Sequence, residues 1–297
     1  MKILLTGASG YIGRYLLPHL LEAGHHVYAL VRHATNPPIP EKFAEQITFL
    51  QGDLLDKQSL PALHDLDAAY YLVHSMADDP KHFYELEEQA CQNFLSLIEN
   101  TGIKQIIYLS GLHHGTVLSK HFHSRLHVEE LLKRSASTVT VFRSSIIIGA
   151  ESSSFKIICD LVEKLPVMIA PRWLHTRCQP IAISDVIYYL VHLLGQPKVL
   201  NRTFEIGGSD VMTFKEMLLL YAKLKGLRRW IITVPVLTPH LSSYWLYLVT
   251  RVNFSLASSL VESLKVESIV EDHAIQSLFP HSCMTCMEAM KQAIDNK

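Results

Sequence analysis

The sequence predicts an α/β fold, a doubly wound parallel sheet with a smaller, mostly helical C-terminal cap. Three observations predict it. The apolar run Lys2-Ile3-Leu4-Leu5 leads into a glycine turn, Thr6-Gly7-Ala8-Ser9-Gly10-Tyr11-Ile12-Gly13, and then into a helix-forming stretch over residues 14–23. Apolar runs then alternate with helical patterns through the first half of the chain, as in a series of βαβ units. After Gly149 the strands give way to helical segments punctuated by proline.

The glycine turn sets the first expectation of function. Gly7 lets the chain turn tightly off the strand, Gly10 lets the backbone approach a pyrophosphate, and Gly13 lets the helix pack closely on the sheet. Exposed amides at the start of that helix favour an anion. Three glycines at this spacing, set between a strand and a helix, read as a dinucleotide site. Buried strands follow at residues 26–32, 47–50, 68–73, 103–110 and 138–142. In the helix ahead of the fifth strand, Asp78 or Asp79 can cap, Pro80 suits the first turn, and Gly102 can close it. Pro18 removes a backbone donor inside the first helix and is expected to kink it.

In the second half, residues 152–165 look helical, Pro166 and Pro171 break the chain, and a helix starts near Asp185. Residues 203–206 supply a further strand. Thr213 and Glu216 form a capping box for a helix that runs to Lys225 and ends at Gly226. Residues 227–297 read as mostly apolar helix. The expected division is a nucleotide-binding core over residues 1–149, with 176–208 returning to it, and a substrate cap over 150–297.

Composition narrows the function classes. A chain of 297 residues with 48% hydrophobic content can bury a large core, and its formal net charge of −1 gives no bias toward nucleic acid. Five cysteines without a disulfide-like array fit a reducing compartment, so a cytoplasmic location is expected. Residues 231–250 form the one long apolar stretch, but Pro235, Pro239 and His240 interrupt it. A membrane span needs about 20 predominantly apolar residues, so weak contact with a membrane surface is the most it suggests.

The chain resembles the short-chain dehydrogenase/reductase superfamily, with its Rossmann fold, in the extended or atypical branch. Beyond the glycine motif, the resemblance rests on Gly52-Asp53-Leu54, Tyr108-Leu109-Ser110, Phe142-Arg143 with Gly149, Pro180 through Asp185-Val186, and Phe204-Glu205-Ile206-Gly207-Gly208. The phrase Tyr70-Tyr71-Leu72-Val73-His74-Ser75-Met76 is similar to bacterial proteins labelled nucleoside-diphosphate-sugar epimerases. The resemblance implies that Gly7, Gly10, Ile12 and Gly13 line the pyrophosphate, with Ser9 and Tyr11 in the same cofactor-binding turn. It places Asp53 and Leu54 at the adenine, His74 and Ser75 near the nicotinamide ribose, and Ser110 beside the nicotinamide. At the end of the second strand, Val31-Arg32-His33 carries no carboxylate. Arg32, with His33, therefore favours the 2′-phosphate of NADP(H), while an arginine that merely stacks on adenine leaves NAD(H) open.

One departure from the superfamily bears on the chemistry. Its catalytic Tyr and Lys stand four residues apart on the helix after the fifth strand; here His121 and Arg125 keep the spacing and share a helix face. His121 suits proton exchange near neutrality, whereas Arg125 contributes a fixed charge or a hydrogen bond to the cofactor. His121 can equally contact cofactor or substrate without catalysis, or simply belong to the helix. His113 and His114 follow Ser110 where extended members polarise the substrate, and His113 joins His121, Arg125 and Ser110 as a catalytic candidate. Arg172, Trp173 and Arg177 suggest an anionic or planar substrate, unless an arginine pairs with Asp185 or Glu163.

Cys283-Met284-Thr285-Cys286 with His281 offers too few ligands for a structural zinc, and no metal is expected. The reading is an NADP(H)-dependent oxidoreductase acting on a small carbonyl or alcohol. The alternatives are a non-catalytic NADP(H) sensor with a regulatory protein partner, similar to nitrogen metabolite repression regulators, and a nucleotide-sugar epimerase or dehydratase.

Overall fold

The computed structural model describes residues 1–33, 39–74, 83–114, 120–234 and 265–296; for Lys120 and His121 the backbone alone is described. In chain order the strands are β1 (Lys2–Thr6), β2 (His26–Val31), β3 (Ile47–Gln51), β4 (Ala68–Tyr71), β5 (Gln105–Gly111), β6 (Thr138–Ser144) and β7 (Ile147–Ile148). They continue with β8 (Val167–Pro171), β9 (Arg177–Cys178), β10 (Ile181–Ala182), β11 (Thr203–Ile206), β12 (Met212–Thr213) and β13 (Trp230–Val234). The helices are α1 (Tyr11–Glu22), α2 (Phe83–Ile98), α3 (Lys120–Leu132), α4 (Ser153–Lys164), α5 (Ile183–His192), α6 (Phe214–Leu224), α7 (Ala274–Leu278) and α8 (Cys286–Asp295).

Seven strands form the central sheet in the order β11-β6-β5-β4-β1-β2-β3. β1 pairs in parallel with both β2 and β4, so Ile3 faces Val27 on one side and Ala68 on the other. The chain builds outward from β1 through β2 to β3 and then returns to lay β4 on the opposite side of β1. In doubly wound sheets ligands bind at such a reversal, here beyond the carboxyl ends of β1 and β4.

The chain divides into two compact units. The first comprises Met1–Ser110, Ser124–Phe142 and Ile187–Phe204; the second comprises Gly111–His123, Arg143–Val186 and Glu205–Lys297. In the first, Leu4, Ala69, Tyr71, Ile106, Tyr108 and Val141 of the sheet pack with Ala90, Cys91, Phe94 and Ile98 of α2 and with Val128 and Leu132 of α3. The buried face of α2 recurs at helical spacing, and its first member is an acid, Glu87. Each fully buried Leu or Phe contributes about 1.5–3 kcal/mol relative to exposure.

The second unit has its own core, from Phe155, Ile158 and Val162 of α4, Met217 and Tyr221 of α6, and Ala289, Met290 and Ala293 of α8. Ser152 caps α4, accepting from the Phe155 amide at 3.4 Å and donating to the Ile147 carbonyl at 2.7 Å. Thr213 and Glu216 make the expected capping box on α6, and Gly226 beyond its end has φ +67°.

α1 runs from Tyr11 to Glu22 with Pro18 inside it. Two expectations need revision. The chain between Pro166 and Pro171 is strand β8, and Trp230–Val234, expected as helix, pairs with it in parallel as β13. Alternating exposure along this strand, with Trp230 and Ile232 exposed, is a period of two that a count of apolar residues does not distinguish from helix. Residues 235–264 and the expected cap at Asp78–Pro80 lie outside the described residues. Among the described helices, none is long and apolar enough to cross a membrane.

Candidate functional site

The glycine turn closes as its sequence requires. Gly7 has φ +72°, and a Cβ there would lie 2.7 Å from the Leu72 carbonyl oxygen in the segment leaving β4. The Gly10 amide donates to the Gly7 carbonyl at 2.9 Å. A Cβ on Gly13 would strike the Gly7 carbonyl, so only glycine lets α1 sit this close to β1. Among the described residues, a Cβ on Gly10 meets only the Gly7 oxygen, at 3.1 Å, and otherwise enters open space. Gly10 is also the N-cap of α1 and supplies no side-chain acceptor, and the first turn carries no acid. The leading amides of α1 are thus available to an anion, as at other helix N-termini that bind phosphate.

Around this turn the first unit gathers most of the expected cofactor residues. Arg32 and His33 are exposed at the end of β2. Asp53 holds its own loop, its Oδ1 accepting from the Leu55 amide at 2.9 Å. Leu54 is buried, and its carbonyl accepts from Asn93 Nδ2 of α2 at 2.7 Å. His74 follows β4, whereas Ser75 lies outside the described residues. Ser110, 3% exposed near the end of β5, has a sealed Oγ with no hydrogen-bond partner among the described residues.

Sequence reasoning missed the partners of this set. His74 Nδ1 lies 2.9 Å from Oε1 of Glu87, a carboxylate 1% exposed on α2. That contact fixes the imidazole orientation, as carboxylates do for functional histidines. Burial first, and then the Arg125 charge, push the His74 pKa below its ordinary value, and the Glu87 contact opposes them without prevailing. Arg125 Nη1 donates to the Tyr108 hydroxyl at 3.1 Å, and the guanidinium lies 5.6 Å from the centroid of that ring. Burial holds the Tyr108 pKa well above its ordinary value, so the phenol stays protonated. Arg125 Nε is sealed and has no partner among the described residues. The available signal was an acid, Glu87, in the apolar stripe of α2.

These features fit a bound dinucleotide: a turn open at Gly10, an uncapped helix, and buried polar atoms, Ser110 Oγ and Arg125 Nε, left for a ligand or water. For His121 the backbone places it one turn before Arg125 on α3.

The second unit holds the remaining candidates. His113 is buried, its ring 5.2 Å from that of Phe122, and His114 Nε2 lies 2.7 Å from the Ile269 carbonyl. Trp173 packs edge-on to Phe214 at 6.5 Å, and its indole Nε1 is sealed without a partner among the described residues. Arg172 is exposed. Arg177 donates to both oxygens of Glu267, at 2.8 and 3.0 Å. The pairing considered for an arginine is therefore made with a different acid: Asp185 instead contacts His281 at 2.8 Å, and Glu163 accepts from the Tyr221 hydroxyl at 2.5 Å.

Known proteins with this fold and pattern are similar along most of the chain. The photosystem II assembly factor Ycf39 of Guillardia theta is 24% identical over 242 residues, covering 80% of this chain and 74% of that one. The NADPH-dependent quinone oxidoreductase of Escherichia coli, solved with NADPH, superposes with a TM-score of 0.77 at 20% identity, covering 98% of this chain and 99% of that one. A nucleoside-diphosphate-sugar epimerase of Staphylococcus aureus gives 0.76 at 16%, covering 98% and 100%. At such identities the superpositions establish the Rossmann-like fold. The pattern of the NmrA-like family matches residues 1–237, and the chain belongs to that family.

Proposed function

We propose that this protein is an NADP(H)-dependent oxidoreductase of the atypical short-chain type, acting on a small carbonyl or alcohol. The observation that carries the reading is the juxtaposition, within one unit, of the open glycine turn with the polar cluster His74–Glu87 and Arg125–Tyr108. The leading amides of α1 hold the diphosphate, and Arg32 pairs with the 2′-phosphate. NADP(H), when bound, supplies or accepts the hydride. Glu87 orients His74 toward the ribose, Ser110 hydrogen-bonds beside the nicotinamide, and Arg125 fixes a positive charge where the superfamily has lysine. His121 exchanges the proton, since it stands one turn from Arg125 and imidazole titrates near neutrality. Arg172 and Trp173 contact the substrate.

The test is NADPH consumption with a panel of aldehydes, ketones and quinones. Turnover that falls about a hundredfold in His121→Phe, with cofactor affinity unchanged, supports the assignment. One observation favours a second reading, a protein that senses NADP(H) and relays its occupancy to a partner. Arg125 is engaged with Tyr108, and the Tyr/Lys pair is absent. Such a protein binds NADPH and consumes none.

A further inference from the structure

Three donors from two distant stretches of the sequence converge inside the second unit. Asp185, in the first turn of α5, meets His281 and Cys283 from the segment ahead of α8, and one ligand atom of each lies within 4.8 Å of the other two. Asp185 is buried, while His281 and Cys283 are partly exposed, so the cluster is reachable from solvent. Asp185 Oδ1 lies 2.8 Å from His281 Nε2, and Oδ2 accepts from the Met284 amide at 3.0 Å. The carboxylate is therefore held in place by the backbone of the segment that carries the other two donors.

That segment is itself pinned. The Met284 carbonyl accepts from Ser209 Oγ at 3.2 Å, the Cys286 amide donates to Asp210 at 2.7 Å, and Thr285 forms a capping box with Glu288. A ligand would find the donors already ordered, which removes much of the entropic cost of binding. Cys286, the other thiol of the motif, faces the core: it is 1% exposed, and burial pushes its pKa up to about 12. The two thiols thus have different surroundings, and only Cys283 joins the cluster.

We propose that Asp185, His281 and Cys283 form a binding site for a zinc ion. One oxygen, one nitrogen and one sulfur donor suit a borderline transition metal, whereas calcium and magnesium select oxygen. Three donors among the described residues leave the fourth tetrahedral position to water, as in zinc sites that stay open to a further ligand. With metal–ligand bonds of about 2.0–2.1 Å, tetrahedral N and O donors stand about 3.3 Å apart, so the Asp185–His281 contact opens slightly as the ion enters. Cys283 gives up its thiol proton, and any proton on His281 Nε2 moves to Nδ1. The sequence supplies only two thiols and a histidine in this region; Asp185 is the donor that the fold adds.

The experiment uses the full chain, free of any tag and stripped with chelator, titrated with Co²⁺ in place of zinc. The expected result is one equivalent bound per chain, with a near-ultraviolet thiolate-to-cobalt charge-transfer band that Zn²⁺ abolishes by displacement. Cys283→Ser should remove the band, and His281→Gln should weaken binding by at least about tenfold. Both side chains are partly exposed, so folding is expected to survive and is checked by circular dichroism. Absence of the band in the unsubstituted protein, its persistence in Cys283→Ser, or unchanged affinity in His281→Gln would each overturn the proposal. In those cases Asp185 and His281 form a hydrogen bond that only ties α5 to the C-terminal segment.

Discussion

Arg125 Nη1 donates to the Tyr108 hydroxyl at 3.1 Å, joining the middle of α3 to the middle of β5. A hydrogen bond made by a charged group under burial contributes about 1.5–3 kcal/mol, and removing the acceptor leaves the guanidinium poorly solvated. Tyr108→Phe should therefore lower stability by about that amount in urea unfolding. Tyr71 provides the control, because its hydroxyl is equally buried yet has no partner among the described residues. Tyr71→Phe should change stability by less than about 0.5 kcal/mol. Equal losses in the two variants would mean that the Arg125 contact is not made.

Burial of His74 beside Arg125 makes stability depend on pH. Burial and Arg125 hold the folded-state pKa of His74 below the ordinary 6.5. Between the two values the unfolded chain binds the proton more readily, so stability falls as pH drops below about 6.5 and is fully present above it. Replacing the imidazole by an amide removes the titration. Urea melts from pH 5 to 7.5 should show a shallower acid limb in His74→Gln than in the unsubstituted protein. An unchanged limb would assign the loss to another group such as His25, whose pKa burial also lowers, since the capping carboxylates Glu216 and Glu288, with lowered pKa values, give up stability only below about 4.5 and so outside this window.

Arg32 is exposed at the end of β2, where the sequence Val31-Arg32-His33 carries no carboxylate to accept from a ribose hydroxyl. NADPH should therefore bind more tightly than NADH, and Arg32→Ala should lose about 1–3 kcal/mol of that preference. Fluorescence titration of both nucleotides checks this. Equal affinities in the unsubstituted protein would mean that Arg32 stacks on adenine without reading the phosphate.

Much of the fold is legible in the sequence because local pattern and tertiary position agree. Central parallel strands are mostly apolar runs: the expected strand at 138–142 lies within β6, and that at 68–73 contains β4, buried throughout. The Thr213–Glu216 box marks the start of α6 because both halves of the motif lie within one turn. Trp230–Val234 fails the same reading, since its partner Val167–Pro171 lies about sixty residues away and supplies the reason to be a strand.

The site divides along the same line. The glycine turn is local and is read from eight consecutive residues. Glu87 beside His74, Tyr108 beside Arg125 and Glu267 beside Arg177 are pairings made by the fold, and spacing along the chain carries no trace of them. The expectation of Asp185 or Glu163 as an arginine partner failed because each acid already serves another element of the second unit.

The account rests on a nucleotide diphosphate lying over Gly10, and calorimetric titration of NADPH into the unsubstituted and Gly10→Val proteins tests it most directly. Gly10 has φ −74° and ψ 170°, extended backbone open to valine, and its Cβ would stand 3.1 Å from the Gly7 carbonyl oxygen, a contact that a shift of a few tenths of an ångström relieves, so the variant should keep its fold, which circular dichroism checks. The added side chain would occupy the open space above the turn. The prediction is one NADPH per chain in the unsubstituted protein and no measurable binding in the folded variant. Equal NADPH affinity in the two proteins, or no binding in either, would contradict the account.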